Sequence, residues 1–155
     1  RQLAVRMVEV SKKATAERRA FYVGMLRDDI DWSVPAIRAL GQRYDALKAE
    51  EKQKLADWSR DSVLGTGSVM EFLQNLIFQS CAVTGGEREG GRTSMRLSCV
   101  RFGSEPNFQV RLDVAPRGGR IKIVDVGYIS VSLSEELAKE ITKPSAVAEH
   151  GVALN

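Results

Sequence analysis

The chain has 155 residues, of which 43% are hydrophobic and 28% are charged, a composition typical of one globular domain rather than a disordered segment. Its 23 basic residues are interleaved with 20 acidic ones, so the net charge is only +3. That small charge, without any nucleic-acid-binding motif, argues against a nucleic-acid partner.

The first half of the chain has the spacing of amphipathic helices. Asp31 or Ser33 is expected to cap the third of them, with Pro35 in its first turn. The fourth helix is expected to begin at residues 48–51. The apolar stripes are Leu3, Met7, Val10 and Ala14; Phe21, Tyr22, Met25 and Leu26; Ile37, Leu40, Tyr44 and Leu47; and Leu55 with Trp58.

Two glycines, Gly65 and Gly67, then interrupt the helical pattern and favour a break in the chain. Ser68 and Glu71 follow at the spacing of a capping box, in which each side chain bonds a free backbone amide of the other's turn. The sequence therefore predicts a fifth, short helix that ends near Asn75.

After residue 75 the hydrophobic period changes from that of a helix to two. It predicts strands at residues 77–84, 93–102, 108–115 and 120–130, joined by glycine-containing loops at 85–91, 103–107 and 116–119. A last helix is expected at 134–141, followed by a loose tail.

This is an α+β arrangement of about five helices packed on a curved four-stranded antiparallel sheet. We expect one domain over residues 1–143, a tail over 144–155, and a ligand-sized cleft between sheet and helices.

Cys81 and Cys99 lie in two consecutive predicted strands. A hairpin centred on Arg88 would leave the two cysteines a few residues out of register, so a bridge between them requires an asymmetric hairpin. Two interpretations stay open at this point. The cysteines form a disulfide in an oxidising compartment, or they are buried free thiols that pack as small hydrophobes.

The chain lacks the residue patterns of an enzyme active site. Its one histidine, His150, lies in the predicted tail and is expected at the surface. Asp125 and Asp113 could form a carboxylate pair, but Asp113 belongs to the polar face of its strand, and a structural hydrogen bond is the simpler role for Asp125. No metal-ligand spacing, phosphate loop or nucleophile elbow is present. We therefore expect no catalytic residue, no metal and no cofactor.

Two segments, in this order and about 90 residues apart, resemble the MlaC / toluene-tolerance family. The first carries Ile30 and Asp31, then Leu40 with Gly41 and Tyr44, and then an acidic helix start at residues 48–53. The second runs through the strand at residues 123–126 into residues 129–132, where the family has a Glu-Gly-Val-Ser sequence. The family consists of periplasmic lipid-carrier components of bacterial ABC transport systems.

The resemblance implies a nuclear transport factor 2-like, cystatin-like fold and a non-covalent function. A member of the family would hold a phospholipid or another amphiphilic lipid in an apolar cavity. It would exchange that lipid with a membrane ABC transporter complex and an outer-membrane component, and so maintain outer-membrane lipid asymmetry. The expected location is the periplasm. Because no charged and apolar leader opens the chain, we expect any signal peptide to have been removed or never to have existed.

On this interpretation a set of apolar residues in the fifth helix and the strands lines the cavity. Gly65 and Gly67 would form the hinge that opens it. Two other functions stay open: an interaction module with the same fold and a filled core, and a small isomerase-type enzyme. The expected lipid-binding residues are Phe72, Leu73, Leu76, Phe78, Met95, Leu97, Phe108, Val110, Leu112, Ile121 and Ile123.

Overall fold

The computed structural model describes residues 1–103 and 106–154, and these form an α+β fold of seven α-helices and one five-stranded sheet. Ser104 and Glu105, in the predicted loop at 103–107, and Asn155 lie outside the described residues. The elements in chain order are α1 (Gln2–Ser11), α2 (Thr15–Asp28), α3 (Val34–Leu40), α4 (Ala49–Leu64), α5 (Gly67–Gln74), β1 (Phe78–Glu89), β2 (Arg92–Arg101), β3 (Phe108–Arg117), β4 (Arg120–Tyr128), β5 (Val131–Ser132), α6 (Leu133–Ile141) and α7 (Pro144–His150).

The helical half differs from the prediction at the third helix. The stripe from Ile37 to Leu47 predicts one continuous helix, but α3 ends at Leu40 and a 3-10 turn, Gly41–Tyr44, follows. Gly41 adopts a φ of 55°, in the left-handed region that glycine tolerates, so the helix cannot continue through it. No helix in the described ranges is long and apolar enough to span a bilayer.

The predicted break between the fourth and fifth helices is present, but the predicted capping box is not. Thr66 is the N-cap of α5, so Ser68 lies inside the helix and cannot cap it. The Thr66 hydroxyl instead donates 2.7 Å back to the carbonyl oxygen of Ser62 in α4. This bond closes the end of α4 rather than the start of α5.

The sheet is antiparallel with the order β1-β2-β3-β4-β5, which confirms the predicted meander of four strands and adds the short strand β5. β1 is longer than predicted, since residues 85–89 form strand and the turn falls at residues 90–91. The fold class is therefore correct, whereas the predicted numbers of helices and strands are too low.

Cys81 and Cys99 face each other in the β1–β2 ladder, and a disulfide joins them with their Cα atoms 4.1 Å apart. The hairpin is asymmetric, as a bridge requires. A bulge between Thr84 and Glu87 adds one residue to β1, and without it Cys81 would lie opposite Val100. The free-thiol interpretation does not describe the structure.

The C-terminal segment is not a loose tail. Residues 144–150 form α7, which starts with a proline and ends at Gly151 in the left-handed conformation, and Val152 beyond it is fully buried. His150 is buried rather than exposed: it accepts a 3.1 Å bond at Nδ1 from the Val152 amide, and its Nε2 lies 2.9 Å from the Ile141 carbonyl oxygen. The tail prediction failed because a seven-residue helix has too few apolar positions to show a period.

Asp125 joins the last strands to α6. Its Oδ1 accepts bonds from the amides of Ser134 (3.0 Å) and Val126 (2.9 Å), and its Oδ2 accepts bonds from the Ser132 hydroxyl (2.6 Å) and the Arg111 guanidinium (2.9 Å). Asp113 lies opposite it in the β3–β4 register and pairs with Arg92 and Arg111. Both carboxylates lie on the sheet face that carries Arg111, and the hydrogen bonds make Asp125 a structural residue.

Burial alone would raise the pKa of Asp125, but the bonds from Ser132 and from the amides of Ser134 and Val126 outweigh burial and hold the pKa below its ordinary value. A carboxyl whose pKa is lowered by folding stabilises the protein above its unfolded pKa of about 3.9. That stabilisation is lost as the pH falls through the folded pKa.

We predict that Asp125→Asn lowers the free energy of unfolding by about 3 kcal/mol at pH 7, because it leaves a buried hydrogen-bond network incomplete. The difference from the unchanged protein should begin to shrink below about pH 4, where Asp125 becomes protonated in the unfolded chain, and it should be smallest once the pH lies below the lowered pKa of the folded state. Urea denaturation between pH 7 and pH 3 measures both effects. Asp57→Asn, in an exposed ion pair of α4, is the control and should cost at most about 0.5 kcal/mol. Equal losses in the two variants would contradict the role of Asp125.

Candidate functional site

An apolar cavity of about 630 Å³ lies between the helices and one face of the sheet. This volume falls within the range of about 300–1,000 Å³ that ligand sites occupy. Its walls come from α1, α2, α4, α5 and α6 and from the strands β2, β3, β4 and β5. The lining residues are Leu3, Met7, Tyr22, Met25, Leu26, Ile30, Ser62, Val63, Thr66, Val69, Phe72, Leu73, Leu76, Leu97, Phe108, Val110, Leu112, Ile123, Val126, Tyr128, Ile129, Val131, Leu133, Glu136 and Leu137.

Period-two alternation explains why the sheet supplies one apolar wall. Val110 and Leu112 of β3 and Leu97 of β2 face the cavity, while Arg111 and Arg96 point to the opposite face. Val110 pairs with Leu97 and Leu112 pairs with Val126 in register, so the apolar side chains of neighbouring strands lie beside one another.

Five lining residues carry polar side-chain groups (Tyr22, Ser62, Thr66, Tyr128 and Glu136), and those of Ser62, Thr66 and Glu136 have hydrogen-bond partners. The hydroxyls of Ser62 and Thr66 donate to backbone carbonyls of α4 at 2.7 Å, and the Glu136 carboxylate accepts a 2.7 Å bond from Lys139. Tyr22 is fully buried, and burial raises its pKa to about 12 although the nearby Arg18 lowers it. The described residues contain no group of three or more possible metal ligands.

The cavity opens at a rim of exposed apolar side chains. The exposed fractions are 40% for Phe72, 42% for Tyr128, 86% for Ile129 and 52% for Val131. The rings of Phe72 and Tyr128 lie 6.1 Å apart, and Tyr128 stacks at 5.6 Å on Phe108 inside the cavity. We call Phe72, Tyr128, Ile129 and Val131 the mouth rim.

Ile129 holds an unusual backbone conformation for a β-branched residue. Its φ is 56°, the one positive φ among the described non-glycine residues. A bulky side chain in this region is strained, and glycine or asparagine would suit the turn better. The turn between β4 and β5 therefore presents an apolar side chain to solvent at a conformational cost.

Eight of the eleven residues expected to line the cavity do so, and three do not. Phe78 is buried behind Phe108, with their rings 5.5 Å apart. Met95 is half-buried and lies outside the lining. Ile121 is 66% exposed, because it lies at the hairpin end of β4, where it pairs with Pro116. The eight are Phe72, Leu73, Leu76, Leu97, Phe108, Val110, Leu112 and Ile123.

The sequence interpretation missed the helical walls and most of the mouth rim. The stripes of α1 and α2 identify Leu3, Met7 and Tyr22 as inward-facing, but a stripe does not distinguish a cavity wall from a packed core. The rim residues after β4 show no period at all. What could have identified them is composition, since apolar Ile129 lies in the turn between β4 and β5 and apolar Val131 directly follows it, where polar residues are usual.

The two glycines of the expected hinge have different surroundings. Neither has a positive φ, so a turn that needs glycine does not explain them. A Cβ on Gly65 would lie 2.9 Å from the Asp61 carbonyl oxygen, whereas a Cβ on Gly67 would meet nothing within 4 Å. Gly65 therefore has a packing reason to be glycine, and Gly67 has none.

Comparison with solved structures finds the same fold in a phospholipid-binding protein from Ralstonia solanacearum, determined in complex with a phospholipid. The two chains superpose with a TM-score of 0.65 at 14% sequence identity, over 97% of this chain and 86% of the other. No protein-family profile matches the sequence. No curated protein matches it significantly.

We predict that Ile129→Asn raises the free energy of unfolding by about 1 kcal/mol, because asparagine tolerates the left-handed conformation and little apolar burial is lost. Thermal and urea denaturation measure the change. Val131→Asn alters the same rim at an ordinary φ and should give no such gain. If Ile129→Asn is no more stable than the unchanged protein, the turn is not strained.

Proposed function

We propose that this protein is a non-enzymatic carrier that holds a phospholipid or a related amphiphile in the apolar cavity. The observation that carries the proposal is the cavity itself, about 630 Å³ of space enclosed by hydrocarbon and open at an apolar rim. An acyl chain inside the cavity is shielded from water, while the polar head group of the same lipid stays near solvent at the rim.

Burial of an acyl chain supplies enough energy for this function without any covalent step. Transfer from water is worth about 0.8 kcal/mol per methylene, so one 16-carbon chain gains roughly 12 kcal/mol before ordering costs are subtracted. The cavity wall needs no polar recognition group to bind such a chain. Specificity for the head group must come from residues outside the cavity.

The neighbour from Ralstonia solanacearum supports the choice of ligand, since it has the same fold and was solved with a phospholipid bound. The motifs at residues 30–53 and 123–132 add their resemblance to the MlaC / toluene-tolerance family. Under the proposal the protein works in the periplasm and passes lipid between a membrane ABC transporter complex and an outer-membrane component. The disulfide between Cys81 and Cys99 fits an oxidising compartment.

The site favours the carrier over the two alternative functions. An interaction module with a filled core would leave no space of this size between helices and sheet. An isomerase-type enzyme needs an acid or base in the cavity. In the described lining the acidic side chain is that of Glu136, which is paired with Lys139, and His150 and Asp125 both make structural hydrogen bonds elsewhere.

We predict that protein purified without detergent contains about one phospholipid per chain, detected by native mass spectrometry and lipid extraction. Val126→Phe adds volume to the cavity wall and should reduce the bound lipid severalfold. Ala82→Phe adds a larger side chain to an exposed position of β1 and should leave the lipid content unchanged. An unchanged protein that is empty, and that also takes up no lipid from vesicles, would reject the carrier function.

We also predict that Gly67→Ala slows lipid exchange with vesicles severalfold while it stabilises the protein by about 0.5 kcal/mol, because alanine restricts the backbone at the α4–α5 break. Fluorescent-lipid transfer and urea denaturation measure the two effects. Gly65→Ala is less informative, since its clash with the Asp61 carbonyl should cost stability. Unchanged exchange in Gly67→Ala would mean that Gly67 is not a hinge.

A further inference from the structure

A polar groove of about 700 Å³ lies immediately beyond the mouth rim, on the sheet face opposite the cavity. It is lined by Arg96, Gln109 and Arg111, with Asn107 at one end. The groove and the cavity share Val110, Tyr128, Ile129 and Val131. A molecule that leaves the cavity across the turn between β4 and β5 therefore enters the groove directly.

Two arginines from neighbouring strands line this groove. Arg96 of β2 and Arg111 of β3 are opposite each other in the strand register. Arg111 is held in place by Asp125, at 2.9 Å, and by Asp113, at 3.4 Å. Gly127 stands opposite Arg111 on β4, and a Cβ there would lie 3.0 Å from the guanidinium carbon. Arg111 thus lies flat across the strand next to Tyr128 of the rim.

Among the described charged residues around the groove, Arg96 is the one without a partner of opposite charge. Asp113 and Asp125 are balanced by Arg92 and Arg111. Glu135, which also lines the groove, pairs with Arg38 at 3.2 Å. The exposed Arg96 makes no hydrogen bond or ion pair within residues 1–103 and 106–154. Counted over these described residues, the groove therefore carries one net positive charge without a counterion.

We infer that the groove binds the phosphate of the lipid whose chains fill the cavity, with Arg96 as its principal ligand. The inference rests on the proposed carrier function and names the part of the ligand that the cavity leaves undefined. A guanidinium matches phosphate oxygens with two parallel N–H donors, and such charge-assisted bonds are stronger than neutral ones. Arg111, fixed by its two aspartates, presents its remaining N–H groups to the same space.

The chemistry that the groove selects is a phosphate ester attached to an apolar chain. A lipid of the same chain length without phosphate fills the cavity equally well but gains nothing from Arg96. A small phosphate ester without chains has only the groove contacts, which are open to water and to salt. Strong binding therefore requires both parts in one molecule.

The test compares two ligands with the same fluorescent acyl chains, phosphatidylglycerol and diacylglycerol, on three proteins. Arg96→Gln should weaken phosphatidylglycerol binding about tenfold and leave diacylglycerol binding unchanged. The matched control is Arg88→Gln, an exposed arginine of β1 that lines neither the groove nor the cavity, and it should bind both ligands as the unchanged protein does. Glycerol 3-phosphate, as the free phosphate ester, should not displace phosphatidylglycerol at equal concentration.

Three outcomes would overturn the inference. Arg96→Gln binds phosphatidylglycerol as well as the unchanged protein does, it loses both ligands equally, or glycerol 3-phosphate competes at equal concentration and marks a site for free phosphate. Failure of the carrier function would look different, because the unchanged protein would then bind neither phosphatidylglycerol nor diacylglycerol.

Discussion

The Asp125 carboxylate holds together the end of the molecule where the cavity opens. Its two oxygens accept bonds from the next residue of β4, from Ser132 of β5, from the first turn of α6 and from Arg111 of β3. The part of the mouth rim that lies between β4 and β5 is therefore fixed on both sides by one side chain. The same carboxylate orients Arg111 in the groove, so the apolar opening and the polar surface beyond it depend on one buried charge.

The cavity imposes a second constraint, since the structure must remain folded around space that no side chain fills. A space of this size forgoes the dispersion contacts that close packing would supply. The frame supplies stability elsewhere: the antiparallel ladders, the disulfide between β1 and β2, and a second core away from the cavity formed by Ala36, Leu40, Leu55, Ile141 and Val152. Many cavity-lining residues also belong to the main hydrophobic core, whereas the residues of this second core, which include Val152 just after α7, do not line the cavity.

The sequence predicted the elements that show a hydrophobic period, and it missed features that depend on a single backbone angle or on contacts between residues far apart in the chain. Strands β1 to β4 followed from alternation, and five of the eight correctly expected cavity residues lie on these strands, whereas the other three lie in α5 or directly after it. The end of α3 depends on one backbone angle at Gly41, and α7 depends on its packing against α4, where Trp58 bonds Glu149 at 2.7 Å. Ile121 has the correct periodicity but lies beyond the helical layer. The residues of the mouth rim show no hydrophobic period in the sequence, because they lie at the surface rather than in a core.

The bulge between Thr84 and Glu87 limits how the length of the β1–β2 hairpin can vary among related proteins. Successive side chains of a strand point to opposite faces, so a single insertion or deletion in the β1–β2 arm would send Cys81 and Cys99 to opposite sides of the sheet. Related chains that keep the disulfide can therefore differ here by pairs of residues, or by one residue that a second bulge absorbs. The disulfide therefore depends on whether the sequence separation of the cysteines, here 18, is odd or even, as well as on the distance between them.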